Sequence, residues 1–491
     1  MDESVIDAVD WVQSRFESND AVSYAEVGGI TREVTDAVIT DAGVRTQTDT
    51  VHSGVWWRQF TDGTADYRYT TMVDESQLDT EIERSIRSAR LLAQSRPASV
   101  DAGTTVCASH PGWGPDSTSL ADVDTEEKVD RIQRAIQTAI DGLSVERTRS
   151  TYRDELAESV LMTTNGTAVS TTTERASADT VIVPTDGQPV RDHFGSTSGS
   201  SFLETLAPRF DRLAARARRV ADTPSTTVDR TESVDVILDP LAAGELIHQL
   251  AHYLEIDTAY IGASSIEPGE QVASALLSVD DTVEPGSWAA RAYDAEGRPC
   301  HPVSLIQNGV VRNRMYDTSS AIEENAHPAG NFIPSLGLDQ PPRIHARHLS
   351  VHPGGASLDE LQDGMDLRVT RFGTPRFGNE ATRTKRASGL PPSSLYAKDI
   401  EETTPAEYDD ESTSQTVRFP IEEGYRLRHE GSDRLVTNGL LEVSLPDLQT
   451  ISAIGSARET LTGTCEKHRS TIPYAVTTPA ISISATLCVT D

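Results

Sequence analysis

Apolar residues follow two spacings in the first half of the chain, and each spacing predicts a different kind of element. Short segments in which apolar and polar residues alternate predict strands, and the turn residues Asp62-Gly63 predict an antiparallel hairpin between two of them. In three longer segments, apolar residues recur three or four positions apart, which predicts amphipathic helices. The first helix begins near Asp74 or Ser76, the second ends at Gly142 and the third spans residues 202–220.

A polar segment, residues 223–233, separates this half from one with a different pattern. The segment contains Pro224 and is typical of a linker. After it, a strand and one helix are followed by short strands and glycine turns, which predict a mostly-β, barrel-like domain over residues 234–491. Before it, we place an N-terminal sheet-and-helix domain at residues 1–108 and a middle region of helices and hairpins at residues 109–222.

The predicted fold class is α+β. An N-terminal α/β domain with a largely antiparallel sheet and flanking helices precedes the mostly-β domain, which carries the helix with the candidate metal ligands. Residues 380–415 are rich in Pro, Ser and Thr and lack periodicity, which predicts either a flexible loop or an ordered lid.

Composition and charge indicate the setting in which the protein works and exclude one class of binding partner. The 491 residues include 76 Asp and Glu but only 43 Lys and Arg, for a net charge of −33. Because unscreened carboxylates repel one another, this charge favours a protein that works at high salt, as in a halophilic cytoplasm. It also argues against nucleic-acid binding, which needs cationic side chains to displace counterions from phosphates.

Two further patterns concern the cellular setting. The N-terminal residues lack the basic start and apolar core of a signal peptide, and no apolar run approaches the length of about 20 residues that spans a bilayer. We therefore expect a cytoplasmic protein without membrane contact. The cysteines at positions 107, 300, 465 and 488 are far apart and form no CxxC motif, which favours reduced thiols over disulfides.

The helix that follows the linker carries the candidate chemistry. At about 100° per residue, Glu245, His248, His252 and Glu255 share one face, opposite an apolar stripe. Two histidines four positions apart can present imidazole nitrogens to one cation, as in zinc peptidases, although on spacing alone such a pair is more often solvated or capping. Gln249, which follows His248, cannot take a proton from water, so Glu245 or Glu255 would have to act as the base.

Several other segments after the linker form a recognisable series. They are Asp239-Pro240, residues 269–274, 279–286, 294–297 and 305–311, and the segment Gly463-Thr-Cys465-Glu-Lys. In order and spacing, they are similar to the C-terminal domain of the TldD/PmbA family of zinc-dependent peptidases, whose closing segment is G-T-C-G-K. The N-terminal half agrees more loosely, so the resemblance covers nearly the full chain.

The resemblance implies a set of site residues. In TldD-like members, two histidines of an H-E-x-x-x-H helix and a distal cysteine hold zinc and the glutamate is the base, whereas the PmbA (TldE) branch lacks this site and pairs with TldD. Aligning His252-Tyr-Leu-Glu255 with the family's H-G-L-E places the first ligand at Ile247 and the base at His248, so both usual residues are replaced. Cys465 matches the distal ligand, which implies a TldD-like branch with a degenerate motif.

Two functions are open at this point. In the first, His248, His252 and Cys465 hold zinc with a fourth position free for water, and Glu245 or Glu255 is the base in hydrolysis of small or unfolded peptides. In the second, the chain is a non-catalytic TldE-like subunit or scaffold of a hetero-oligomeric peptidase. The resemblance implies a peptide substrate and either a homodimer or a heterodimer with a PmbA/TldE-like subunit.

The stability of the fold is expected to depend on salt. Raising KCl from millimolar to molar concentration screens the repulsion among the carboxylates, so the midpoint of thermal unfolding should rise by several degrees. Circular dichroism across a salt series measures the midpoint, and a series in sucrose controls for stabilisation that does not involve charge. A midpoint that stays flat with salt would contradict the prediction of a high-salt setting.

Overall fold

The structure is a computed structural model, and it describes residues 1–92, 106–110, 118–377, 416–427 and 431–490. The loop or lid predicted at residues 380–415 lies outside these ranges. Within them, no helix has both the length and the apolar character that a membrane span requires.

Within the described residues up to position 222, four helices and seven strands form. In chain order they are α1 (Glu3–Glu17), β1 (Val22–Thr40), β2 (Gly43–Thr61), β3 (Thr64–Thr70), α2 (Glu75–Leu92), β4 (Cys107–His110), α3 (Thr125–Ala139), β5 (Val145–Thr163), β6 (Ala168–Pro184), β7 (Val190–Ser196) and α4 (Ser201–Asp222).

The strands of this half form one sheet, in the order β3-β2-β1-β5-β6-β4, with β7 also paired to β6. All of its pairs are antiparallel except β4 with β6, which confirms the largely antiparallel sheet. Because β1 pairs with β5, the sheet draws strands from both sides of residue 108, and the domain division there remains a prediction.

The helices bury the apolar faces that their spacing predicts. On α2, Leu78 belongs to a core cluster with Trp57 of β2 and with Val9 of α1, a helix that was not among those predicted. On α3 and α4, Ile132 and Phe210 belong to a second cluster, on the strands β5 to β7. The helices therefore flank the sheet, as predicted.

The described residues after position 222 form short strands and helices. These are β8 (Ser225–Thr227), β9 (Glu232–Leu238), α5 (Pro240–His252), α6 (Ile256–Tyr260), β10 (Val279–Thr282), β11 (Val303–Gln307), β12 (Val310–Val311), α7 (Thr318–Glu323), β13 (Phe332–Ile333), β14 (Arg343–Ile344), β15 (His348–Val351), α8 (Leu358–Gln362), β16 (Leu367–Phe372), β17 (Arg376–Phe377), β18 (Thr416–Arg426), β19 (Arg434–Thr437), β20 (Gly439–Ser444), β21 (Ala453–Lys467) and β22 (Ser470–Val489). The strand β8 and the start of β9 lie within the segment predicted as a linker.

Some of these strands close into a ring. The strand β22 pairs with β9, β9 with β16, β16 with β18 and β18 with β20, and β20 returns to β22. The closed ring confirms the barrel-like, mostly-β domain. The strand β21 forms a long hairpin with β22 and carries Cys465 near its end.

The helix α5 packs against this hairpin. Leu246, Ile247 and Leu250 are buried in the core of the C-terminal half together with Leu461 of β21. At Gly244, an added Cβ would lie 3.1 Å from the Leu461 side chain, so the absence of a side chain allows the close approach of helix and strand. This contact sets the position of α5 along β21, and it thereby positions His248 and His252 relative to Cys465.

A buried arginine joins the two halves. Arg58 of β2 donates two hydrogen bonds to Glu26, at 2.8 and 2.6 Å, and a further one to Glu296. Its guanidinium also lies 3.5 Å from Asp317 and stacks over the ring of Phe332. Glu296 and Asp317 belong to the C-terminal half, so this cluster ties the first sheet to the second domain.

Replacing Arg58 with methionine should lower the free energy of unfolding by about 3–5 kcal/mol, because Glu26, Glu296 and Asp317 would stay buried without their cation. Burial raises the pKa of Glu26 to about 7. Protonation of this carboxyl relieves the charge as the pH falls below that value, so the loss should be larger at pH 8 than at pH 5.

Urea denaturation of wild type and variant at both pH values measures the difference. Arg84→Met is the matched control, since Arg84 is 62% exposed and, among the residues that the structure describes, its ion pair is with Glu81 of the same helix, at i,i+3. It should cost about 0.5 kcal/mol or less. If both variants lost the same free energy of unfolding, the buried Arg58 cluster would not be a major contributor to stability.

Candidate metal centre

The helix α5 supplies two of the predicted ligands. Its first turn is stabilised by Pro240, whose fixed φ suits the start of a helix. The apolar stripe is buried as expected and includes Ile247, the position aligned with the family's first histidine. His248 and His252 lie on the other side, and their ring centroids are 4.7 Å apart.

Cys465 reaches the same point from β21. Its Sγ lies 3.5 Å from Nε2 of His252, although the two residues are 213 positions apart in sequence. The structure thus brings together the three residues that the sequence nominates as ligands, His248, His252 and Cys465.

A fourth donor, His345, completes the group. The side-chain donor atoms of His248, His252, His345 and Cys465 all lie within 4.8 Å of one another. Sequence reasoning missed His345 because it follows β14, a strand of two residues that no periodicity marks. A histidine in a short strand of a mostly-β region is an ordinary core residue until the fold places it beside a ligand.

The spacing of the donors fits a small cation. The Nε2 atoms of His248 and His345 are 3.5 Å apart, as are Nε2 of His252 and Sγ of Cys465. For tetrahedral zinc with bonds of about 2.0–2.1 Å to nitrogen and about 2.3 Å to sulfur, neighbouring donors are about 3.3–3.6 Å apart. Zinc also binds thiolate and imidazole donors, whereas Mg²⁺ and Ca²⁺ prefer oxygen donors.

Contacts outside the group orient its rings. Glu255 lies just beyond the end of α5, and its Oε2 is 2.9 Å from Nδ1 of His252. His345 donates from Nδ1 to the carbonyl of Ala346 at 2.6 Å. In both rings the outer nitrogen is engaged, so Nε2 is left for the centre.

Lys467 connects the segments that carry the donors. It is buried, and its ammonium donates to Glu255 at 2.7 Å, to Asp257 at 2.9 Å and to the carbonyl of Ile344 at 2.7 Å. Lys467 belongs to the motif segment that includes Cys465, but sequence reasoning gave it no role.

Cys465 and His248 have pKa values that suit metal binding, whereas His252 does not: burial alone would lower its pKa, but Glu255 and the Cys465 thiolate raise it to about 10. Burial alone would raise the pKa of the Cys465 thiol, but His252 and hydrogen bonds with the three imidazoles hold that pKa well below its usual range. Burial lowers the pKa of His248 to about 4. A thiolate and a neutral imidazole are the protonation states in which these side chains bind metal.

The two predicted bases differ in their surroundings. Glu245 lies one turn before His248 on α5, and its carboxylate accepts a hydrogen bond from Oη of Tyr474 at 3.3 Å. The Tyr474 ring stacks on that of His248, with centroids 3.7 Å apart. Burial raises the pKa of Glu245, against the attraction of Arg371. Glu255 is 1% exposed and bound to His252 and Lys467.

Comparison with family models gives two matches. A model described as the PmbA/TldA metallopeptidase central domain matches residues 118–223. A second, described as the PmbA/TldA metallopeptidase C-terminal domain, matches residues 231–379. Together they span slightly more than half of the chain.

Two curated relatives share part of their sequence with this chain. A "Metalloprotease" of Methanothermobacter thermautotrophicus is 25% identical over 370 residues, which cover 72% of this chain and 78% of that protein. A "Zinc metalloprotease TldD homolog" of Saccharolobus solfataricus is 22% identical over 275 residues, 55% of each chain.

Solved structures share the fold over nearly the whole length. A putative modulator of DNA gyrase from Thermotoga maritima superposes with a TM-score of 0.70 at 16% identity, over 98% of this chain and 99% of that one. TldE from Thermococcus kodakarensis gives a TM-score of 0.68 at 12% identity, over 99% and 100%.

Replacing Glu255 with glutamine should weaken zinc binding by about 10- to 100-fold, because the amide orients the His252 ring less strongly than a carboxylate does. Competition with a chromophoric chelator measures the affinity. Glu459→Gln, at an exposed position of β21, is the control and should bind zinc as wild type does. Unchanged affinity in Glu255→Gln would show that the Glu255–His252 contact contributes nothing to the centre.

Proposed function

This chain belongs to the PmbA/TldD family of metallopeptidases, and from that membership we propose that it binds zinc and hydrolyses small or unfolded peptides. The observation that carries the proposal is the meeting of His248 and His252 of α5 with Cys465 of β21 at one point. The ligand residues are those that the sequence predicts, and their donor chemistry suits zinc. When bound, zinc polarises a carbonyl oxygen and lowers the pKa of a coordinated water.

We assign different roles to the two glutamates. Glu245 is the proposed proton acceptor, because its carboxylate is half-buried beside the site and no ion pair closer than 4 Å involves it among the described residues. The Tyr474 hydroxyl donates to that carboxylate and fixes its direction, while the Tyr474 ring stacks on His248. Glu255 is instead a positioning residue, since both His252 and Lys467 bind its carboxylate.

The setting follows from the charge and from the family. A net charge of −33 supports a cytoplasm of high salt as the place where the protein works. We propose that it acts as a homodimer or as a heterodimer with a TldE-like subunit. The similarity to TldE from Thermococcus kodakarensis shows the shared fold and is compatible with either assembly.

A second candidate function is a non-catalytic subunit in which zinc stabilises the fold. Two features favour it. His248 stands where the family resemblance places the catalytic glutamate, and the adjacent Gln249 cannot act as a base. His345 also adds a fourth donor to the group, and four protein ligands are typical of structural zinc.

The first test is metal content and hydrolysis together. Protein purified in high salt should contain about one zinc per chain by elemental analysis and should cleave short peptides, with or without a TldE-like partner. Chelation should abolish the cleavage. Absence of zinc would remove the peptidase and leave a non-catalytic TldE-like subunit without metal, whereas zinc without cleavage under any of these conditions would leave the subunit with structural zinc.

Replacing Glu245 with glutamine should lower kcat for peptide cleavage by about 10²- to 10⁴-fold, because the proposed proton acceptor is lost. Zinc content should stay unchanged, since Glu245 is not among the four donors. The control is Glu33→Gln, at an exposed position of β1, which should leave both quantities as in wild type. Full activity in Glu245→Gln would exclude this residue as the base.

A further inference from the structure

His345 is held in place from both sides of its backbone. Its amide donates to the carbonyl of Asn331 at 2.9 Å, and the Asn331 side chain donates back to the carbonyl of His345 at 3.1 Å. That Asn331 side chain also donates to Asp281 at 2.7 Å. With a relative exposure of 0%, His345 is a fixed part of the interior.

The ring of His345 presents a lone pair to the centre. Only a protonated nitrogen can donate to a carbonyl, so the bond from Nδ1 to Ala346 places the proton there and leaves Nε2 unprotonated. That Nε2 lies 3.5 Å from Nε2 of His248. Two facing lone pairs repel each other unless a proton or a metal ion lies between them.

The orientation of the Gln249 amide beside His248 decides which of these is present, because an amide nitrogen facing Nδ1 donates to it and leaves the proton of His248 on Nε2. The side-chain nitrogen of Gln249 lies 3.3 Å from Nδ1 of His248, and its buried oxygen has no hydrogen-bond partner within the described ranges. Turning the amide over would let that oxygen accept from a protonated Nδ1. The Nε2 of His248 would then be free for a metal ion, as in the other two rings.

We propose that His345 is a fourth zinc ligand and that it fills the coordination position that a catalytic zinc keeps for water. The inference rests on the zinc site of the proposed function but not on hydrolysis. Three imidazoles and one thiolate satisfy a tetrahedral ion completely. The resting centre is therefore closed, and a water or a substrate carbonyl can reach the ion only after a ligand has left.

If the His345 imidazole left the ion, the remaining ligands would be those that the family resemblance implies, with the fourth position free. The other three are the two residues of α5 and the cysteine of β21. Removing the His345 imidazole leaves these three and one vacant position, which is the composition of a catalytic site.

The test uses full-length protein loaded with Co²⁺, whose absorption spectrum reports coordination number and ligand exchange. The wild-type spectrum should be that of a four-coordinate thiolate site and should not change on adding azide. His345→Ala should bind Co²⁺ about tenfold or more weakly, and azide should shift its spectrum by entering the vacant position.

His348→Ala is the matched control. His348 is also buried, at 6% exposure, and it bonds to Ser287 and Thr477 outside the donor group. This variant loses a buried imidazole as His345→Ala does, but its cobalt spectrum, affinity and lack of azide response should match wild type.

Two results would overturn the proposal. One is an azide response of the wild type equal to that of His345→Ala, and the other is equal cobalt affinity in the two proteins. Should His345→Ala fail to fold, X-ray absorption of the wild-type zinc protein decides the question. Three imidazoles and one sulfur support the proposal, whereas two imidazoles, one sulfur and one water oxygen contradict it. Failure to cleave peptides would count against the proposed function alone, because none of these readouts depends on turnover.

Discussion

The candidate site depends on one buried ammonium group. Lys467 follows Cys465 by two positions on β21, and its three hydrogen bonds reach Glu255 after α5, Asp257 at the start of α6 and Ile344, the neighbour of His345. Each segment that supplies a donor is therefore fastened to the same cation. The desolvation of Lys467 is offset by two carboxylates, without which a buried charge would be strongly unfavourable. The Glu255 carboxylate in turn accepts a hydrogen bond from Nδ1 of His252 and so fixes the orientation of that imidazole.

The N-terminal half supports the same strand from the other side. The hydroxyl of Thr462 contacts both His193 and Gly195 of β7, and the indole of Trp288, a residue of the C-terminal half, donates to the carbonyl of Gly463 at 2.9 Å. These contacts fall just before Cys465 on β21. Together with the Arg58 cluster, they make the geometry of the centre a property of both halves of the chain.

The sequence predicts the parts of this molecule that local patterns encode. Helical spacing gives α5 with Ile247 inside, alternation and turns give the antiparallel sheet, and the Gly-Thr-Cys segment marks Cys465. It cannot predict His345, whose approach depends on pairing between distant strands. The role of Glu255 also escapes a helical projection, because α5 ends at His252 and the bond between Glu255 and Lys467 depends on the position of β21. Tertiary contacts, not periodicity, decide both.

The order of the donors along the chain has a consequence for biosynthesis. His248 and His252 are made first, His345 later and Cys465 last, 213 positions after His252. A growing polypeptide therefore offers a metal ion only histidines, first the pair of α5 and then His345, until the hairpin β21–β22 has been synthesised. If the site binds a metal ion, that ion would meet all four donors only after the barrel has closed, and its binding would report that folding of the C-terminal half is complete.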